Sequence, residues 1–264
     1  MERYADRIGY RGAFRADLET LRALHLAHAT HIPFENVDVL LGRRVPLDLE
    51  SLERKLVGDR RGGYCFEQNT LFAAVLEQCG FPVRPLAARV RWGAPEGAVR
   101  PRSHMLLAVE VAGETQLADV GFGGEGLVWP VPLRIGEAAE QGAWKHRVIR
   151  EGDFHVLQGG WEEGWRDLYS FTMERQYPVD YEVANWYTAT HPNSIFRRML
   201  LVQIPAPEVR LAVMNRKMVE RVRDGVRETA LADNAALLEV LADRFGMHFP
   251  EGTRIPLDEA AGAF

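Results

Sequence analysis

Cysteine is nearly absent from this chain: Cys65 and Cys79 are the only two among 264 residues. A disulfide framework therefore cannot hold the fold together. The two also lack the clustered ligand spacing of a structural zinc site, so no metal is expected. No apolar run reaches the roughly 18 residues that a membrane-spanning helix requires. The leading Met-Glu-Arg-Tyr-Ala-Asp-Arg has no apolar signal-peptide core. Excess positive charge is missing too: 32 Lys and Arg stand against 37 Asp and Glu, a formal net charge of -5. That balance argues against nucleic acid and anionic membranes as partners. Internal repeats, low-complexity tracts and flexible linkers are likewise lacking. These absences point to a cytoplasmic, reducing setting and leave both a monomer and a homodimer open.

What is present reads as an ordinary globular chain, 47% hydrophobic and 26% charged, long enough to bury a substantial core. The first 80 residues carry mainly helical signals. Leu18, Leu21, Leu24 and His28 share one helical face, and Asp48 can cap a helix carrying Leu49, Leu52 and Leu56 on one side. From Val83 to Thr172 the signals turn to short strands: Pro85–Trp92, His104–Val111, Thr115–Val120, Phe154–Leu157 and Trp165–Phe171. Such spacing suggests a small barrel or sandwich, with a hairpin turn at Ala112-Gly113-Glu114. The last third is mixed. It holds a strand over Glu208–Val213 and a helix over Ala230–Phe245. Helical, then β, then mixed is the order of an α+β fold built from three packed parts.

Chemistry concentrates in Arg61-Gly62-Gly63-Tyr64-Cys65-Phe66-Glu67-Gln68-Asn69. The glycines allow a tight turn or a close backbone approach. Phe66, Leu71, Phe72, Val75 and Leu76 then recur with helical spacing up to Gly80, a C-terminal cap. Cys65 falls in the first turn, where unpaired N–H groups and the macrodipole favour an anion, the nucleophilic form of a thiol. Cys79 lies at the other end of the same helix, roughly 20 Å away at 1.5 Å per residue, and no disulfide spans that distance. Burial as a small apolar side chain is the competing role for Cys65.

A thiolate nucleophile needs a base, and the base needs an orienting group. Among eight histidines, His25 and His28 sit on the first helix in packing positions, and nothing local promotes His146 or His155. His104 is different because it opens the apolar strand Met105-Leu106-Leu107-Ala108-Val109. Pairing through the turn near Gly113 sets residue 121 or 122 opposite 104, which brings Asp119 within contact of His104. A purely structural His–Asp pair would use the same geometry.

The segment Arg61–Asn69 is similar to the active-site signature of the arylamine N-acetyltransferases. Four further elements follow that family in order. They are His31-Ile32-Pro33-Phe34-Glu35-Asn36; Ala88-Arg89-Val90 with Ser103-His104; Asp119-Val120-Gly121-Phe122-Gly123; and Asn185-Trp186-Tyr187-Thr188-Ala189-Thr190-His191-Pro192-Asn193-Ser194-Ile195-Phe196. The resemblance implies an N-terminal helical bundle (1–82), a central β-barrel (83–195) and a C-terminal α/β lid (196–264), around a cysteine-protease-like catalytic core. It implies a triad of Cys65, His104 and Asp119 and a ping-pong reaction. Acetyl passes from acetyl-CoA, a cosubstrate and not a resident cofactor, through Cys65 to arylamines, arylhydrazines or N-hydroxyarylamines. Phe122, Phe196, Val90 and Ser103 fall at substrate-pocket positions, and Gly124 and Gly126 at a cosubstrate loop. Glu35 and Arg61 would form a buried ion pair that positions the cysteine loop. Competing functions are an amide synthase of the same fold acting on a polyketide acyl chain, a papain- or transglutaminase-type thiol hydrolase, and a catalytically dead CoA- or xenobiotic-binding protein.

Overall fold

Six helical segments and one two-residue strand account for the first 80 residues of the computed structural model, which describes residues 1–95 and 97–257. Helix α1 spans Glu2–Ile8 and α2 spans Leu18–His31, where the Asp17 side chain accepts the Thr20 N–H at 2.8 Å. Helix α2 buries Leu21, Leu24, His25 and His28, and Leu18 stays at the rim. Strand β1 (Phe34–Glu35) leads into α3 (Val37–Leu40), and Asp48 caps α4 (Leu49–Leu52), which continues as a π-helical turn over Glu53–Gly58. Leu52 and Leu56 are buried as expected, but Leu49 is 50% exposed. Side chains lean toward a helix's N-terminus, so a first-turn residue projects past the core. Helix α5 (Cys65–Gln78) ends as the sequence signals: Gly80 takes φ 88°, Phe81 N bonds Leu76 O and Gly80 N bonds Glu77 O, a Schellman closure.

Eight strands follow: β2 (Val83–Val90), β3 (Arg102–Val111), β4 (Glu114–Ala118), β5 (Val131–Pro132), β6 (Ala138–Gln141), β7 (Trp144–Glu151), β8 (Phe154–Trp161) and β9 (Gly164–Phe171). They form one antiparallel sheet in the order β5-β4-β3-β2-β9-β8-β7-β6, curled into a nearly closed barrel. Strand β3 explains its own apolar run, because both faces are covered. Met105, Leu107 and Val109 pack on the helical core with Phe72 and Leu76, and Leu106 and Ala108 pack inside the barrel with Leu86, Leu157 and Phe171. The β3–β4 turn has Ala112 and Gly113 at φ 53° and 78°, the double positive φ of a type I′ hairpin. Strand β4 stops at Ala118, so the expected strand over Thr115–Val120 ends early and Asp119 begins a loop.

Helix α6 (Pro178–Thr190) crosses back over the helical core, where Tyr181 packs on Phe66 and donates to Leu86 O at 2.9 Å. A second sheet then forms from β10 (Leu201–Pro205), β11 (Val209–Met214), β12 (Lys217–Val222) and β13 (Gly225–Ala230). The last helix, α7 (Asn234–Phe245), packs Leu237, Leu241 and Phe245 against Leu200, Val202 and Val213. The helix expected from Ala230 thus begins at Asn234. Ala230 instead pairs with Lys217 across the sheet, and Asp233 supplies the cap through Ala236 N at 2.9 Å. The fold is α+β as expected, and the last seven positions of the expected lid lie outside the described residues. Among the described residues no helix is long and apolar enough to cross a membrane.

Strand β1 belongs to the second sheet, with Phe34 opposite Gln203 and Glu35 opposite Val202. Asn36 secures that junction: its Nδ2 donates to Phe196 O and Met199 O, and its Oδ1 accepts Leu201 N, all at 2.8 Å. Replacing Asn36 with Ala takes the Asn36 partner from one part-buried donor and two part-buried carbonyls. The expected cost is about 1–3 kcal/mol of stability, because the groups are only partly shielded from water and a fully buried one costs about that much by itself. Urea unfolding measures this, and a loss below about 1 kcal/mol would mean that water satisfies the junction.

Candidate active site

The cysteine loop is wedged against β1. Gly63 N donates to Pro33 O at 3.2 Å and Glu35 N to Gly63 O at 3.1 Å. Gly62 lies so close to the Pro33 carbonyl and the Glu35 side chain that a Cβ there would collide with both. At Gly63 a Cβ would fall 2.7 Å from Glu67 Oε2. The pair of glycines therefore serves close approach.

Beneath the loop lies a cluster of buried charge. Arg61 Nη2 contacts Glu35 Oε1 at 2.6 Å, the ion pair expected from the sequence, and Glu35 Oε2 accepts Val37 N at 2.6 Å. Lys55 Nζ bridges Asp38 Oδ2 at 2.8 Å and Glu67 Oε1 at 2.7 Å. Glu67 reaches back to the helix start, where its Oε2 accepts Tyr64 N at 3.0 Å. Burial pushes the Glu67 carboxyl up, against Lys55, to about 7. The Tyr64 hydroxyl bonds Asn185 Oδ1, and Asn185 Nδ2 holds Val45 O at 2.8 Å. Behind the helix, Gln68 donates to Gly63 O at 2.9 Å and accepts from His28 Nε2 at 3.1 Å; His28 Nδ1 in turn meets the Tyr4 hydroxyl at 2.7 Å. His28 is thus a hydrogen-bonded core histidine.

Cys65 is buried at the first turn of α5, with its Sγ 3.6 Å from Ser103 O. His104 Nε2 bonds Asp119 Oδ2 at 2.7 Å, with both side chains buried. That bond leaves Nδ1 for the thiol. The His104 ring lies between Tyr169 (centroids 4.9 Å apart) and Phe122 (5.2 Å, edge-on). Asp119 Oδ1 accepts Asn69 Nδ2 at 3.0 Å and Gly121 N at 2.9 Å. Asn69 uses its remaining groups on Met105 O and Val120 N, at 2.8 and 3.2 Å. A Cβ at Gly121 would stand 2.7 Å from both Cys65 Cα and Asn69 Nδ2, so the Asp119 loop presses directly on the cysteine turn. Burial opposes charge on His104, but Asp119 and Cys65 overcome it and raise the imidazole to about 10. Burial likewise opposes charge on Asp119, yet His104, Asn69 and Gly121 hold its carboxyl below the usual range.

Cys65, His104, Asp119, Phe122 and Ser103 therefore converge. Val90 reaches this group through its strand partner Tyr169, and Phe196 through Tyr64, 5.5 Å between centroids. Gly124 and Gly126 sit on the same loop, but their amides are engaged: Gly124 N donates to Gln203 Oε1 at 3.0 Å and Gly126 N to Gly123 O at 2.9 Å. Two residues received no role in the sequence analysis. Asn69 was findable, because it lies one helical turn after Cys65 on the same face. Tyr169 carried no local signal; the β2–β9 pairing brings it in from far along the chain. Its hydroxyl is buried and meets no hydrogen-bonding geometry among the described residues.

Comparison with known proteins gives a consistent picture. A sequence model of the N-acetyltransferase family matches residues 17–253. The arylamine N-acetyltransferase of Escherichia coli K12 is 41% identical, over 94% of this chain and 88% of that protein. The solved structure of the Mycobacterium marinum arylamine N-acetyltransferase superposes with a TM-score of 0.90 at 40% identity, covering 93% of this chain and 92% of that one. The same enzyme solved in complex with CoA superposes with a TM-score of 0.89, at 40% identity and the same coverage.

A histidine raised to about 10 keeps its proton in the folded state after the unfolded chain has released it. It adds stability that is fully present below its ordinary value of about 6.5 and is lost as pH rises toward about 10. Asp119→Asn should remove most of that slope. Between about pH 6.5 and 9.5 the parent should lose on the order of 1–3 kcal/mol relative to the variant in urea unfolding. Parallel curves would show that Asp119 does not hold the proton on His104.

Proposed function

The chain belongs to the arylamine N-acetyltransferase family, and on that premise we propose that Cys65 carries the acyl group between acetyl-CoA and an aromatic amine. The observation that supports it best is the buried 2.7 Å bond between His104 Nε2 and Asp119 Oδ2, beside a cysteine at a helix start. His104 Nδ1 takes the thiol proton, and Asp119 fixes the ring's tautomer and stabilises its charge. The thiolate attacks the thioester carbonyl of acetyl-CoA. First-turn N–H groups of α5, which have no helical acceptors, steady the tetrahedral oxyanion. As the intermediate collapses, the carbon–sulfur bond to CoA breaks and the CoA sulfur takes the proton from His104. Acetyl-Cys65 remains.

The acceptor nitrogen then attacks that thioester. It passes a proton to His104 Nδ1, and the Cys65 sulfur leaves as thiolate. Weakly basic arylamines, arylhydrazines and N-hydroxyarylamines suit this step because they are unprotonated near neutral pH. Phe122, Phe196 and Val90 are the proposed apolar pocket for the flat ring, with Ser103 beside the sulfur. Gly124 and Gly126 are the proposed cosubstrate loop, and contact through their amides requires Gln203 Oε1 and Gly123 O to be displaced. A division into parts 1–82, 83–195 and 196–264, and a reducing cytoplasmic setting for the two free thiols, complete the proposal.

Intact-mass spectrometry after acetyl-CoA alone should show one acetyl adduct, mapping to Cys65. Cys65→Ala and Cys65→Ser should fold and carry none, and Cys79→Ala should be nearly silent. Asp119→Asn should slow transfer by roughly 10⁴, the scale seen when a triad histidine loses its orienting carboxylate. An adduct on Cys79, or near-normal transfer in Asp119→Asn, would overturn the triad.

A further inference from the structure

The segment 119–128 leaves the barrel after β4 and returns just before β5, carrying Asp119, Gly121 and Phe122. Its far portion is held by the barrel and the second sheet. Gln203 takes Gly124 N, His146 Nε2 meets Glu125 O at 3.0 Å, and Arg210 Nη1 donates to the carbonyls of Gly124 and Gly126. At its base, one side chain touches both ends. His25, fully buried on α2, lies with Nε2 3.1 Å from Asp119 N and Nδ1 3.1 Å from Val128 O. Asp119 N–H can only donate and Val128 O can only accept, so Nε2 is bare and Nδ1 carries the proton. The tautomer is dictated by its two partners. Phe72 holds the ring edge-on at 5.7 Å. Burial lowers His25 to about 4, so near neutral pH it remains the acceptor that Asp119 N–H requires.

We propose that His25 is a positioning residue for the transfer reaction: by tying the start of this loop to its end, it fixes the Asp119 backbone and so aims the carboxylate at His104. The proposal rests on the Cys65–His104–Asp119 reading. Asn69 and Gly121 N hold the carboxylate, and Asn69 Oδ1 takes Val120 N on the far side of the residue, so neither bonds the Asp119 N–H itself. The last ladder pair ends at Ala118, which is opposite Leu107, so no strand partner constrains Asp119 N–H. Rotation of that peptide would swing the carboxylate away from Nε2. His25 supplies the missing constraint from an element independent of both α5 and the barrel.

The histidine's two bonds can be separated by substitution. In His25→Asn the short amide occupies the Nδ1 position, keeping the bond to Val128 O and losing the one to Asp119. In His25→Gln the longer amide presents Oε1 where Nε2 stood. The readout is the rate of iodoacetamide alkylation of Cys65 against pH, in a Cys79→Ala background with folding checked by circular dichroism. We expect His25→Asn to slow alkylation near neutral pH about tenfold and to move its rise to higher pH, because misplacement of a catalytic group by about 1 Å costs up to about 10². His25→Gln should stay within about twofold of the parent. Combined with Asp119→Asn, the His25→Asn substitution should add nothing further, since it acts through that carboxylate. Equal loss in His25→Asn and His25→Gln, or additive loss in the double variant, would overturn the positioning role and leave a merely structural histidine. If Asp119→Asn alone left alkylation unchanged, the triad reading would fall and this proposal with it.

Discussion

A carboxylate shut away from water costs several kcal/mol unless donors surround it, and much of this fold can be derived from meeting that need at Asp119. Its three donors come from three places: His104 on β3, Asn69 on α5 and Gly121 on its own loop. For Asn69 to reach it, α5 must lie at one depth against β3, and the second Asn69 N–H sets that depth on Met105 O. Cys65 is one turn back on the same helix. The sulfur's location near His104 thus follows from satisfying the carboxylate. The approach is tight enough that only a residue without Cβ fits at 121.

The start of α5 depends on a second buried set of charges. Glu35, Asp38 and Glu67 face Lys55, Arg61 and the half-exposed Arg43, and burial pushes Glu67 up to about 7 despite its contact with Lys55. A buried pair of this kind is weak evidence for net stability, because desolvation offsets the attraction. Its geometric effect is plainer. Glu67 holds Tyr64 N, Arg61 is anchored to β1 through Glu35, and Gly63 is bonded on both sides. The residues before Cys65 therefore have little conformational freedom, which suits the nucleophile proposed at Cys65.

How much of this could be read from the chain depended on whether each element showed an apolar inward face. Helix α5 did, and its cap at Gly80 held. The β3–β4 register followed from a two-residue turn, so the His104–Asp119 contact was derivable before any fold was known. Strand β7 was missed because a histidine, His146, takes an inward position beside Val148 while the apolar Ile149 shares the outer face with Lys145 and Arg147, which blurs the alternation. Strand β13 is exposed along its length and has no inward face to find. Helix α6 inverts the usual pattern: Val179, Val183 and Trp186 face outward, and Asn185 and Thr188 face in. Hydrogen bonding to Tyr64 and Val45 selects Asn185, and a rule built on apolar spacing does not see such a choice. Pairings distant in sequence, such as Tyr169 beside His104, needed the sheet order itself.

The loop after Asp119 makes these parts interdependent. The helical part grips it through His25 and Asn69, the barrel through Gln141 at Val128 N and His146 at Glu125, and the second sheet through Gln203 and Arg210. Strand β1 and Asn36 then tie that second sheet back to the cysteine loop. The connections form a closed circuit: α5 to the Asp119 loop, the loop to β10, β10 to β1, and β1 to the residues that precede α5. In such a circuit no part can shift alone without breaking buried hydrogen bonds at two junctions. The second sheet thus bears on the loop that begins at Asp119, although it contributes no group to the proposed triad. The C-terminal third meets the loop after Asp119 through its hold on the backbone of residues 124–126.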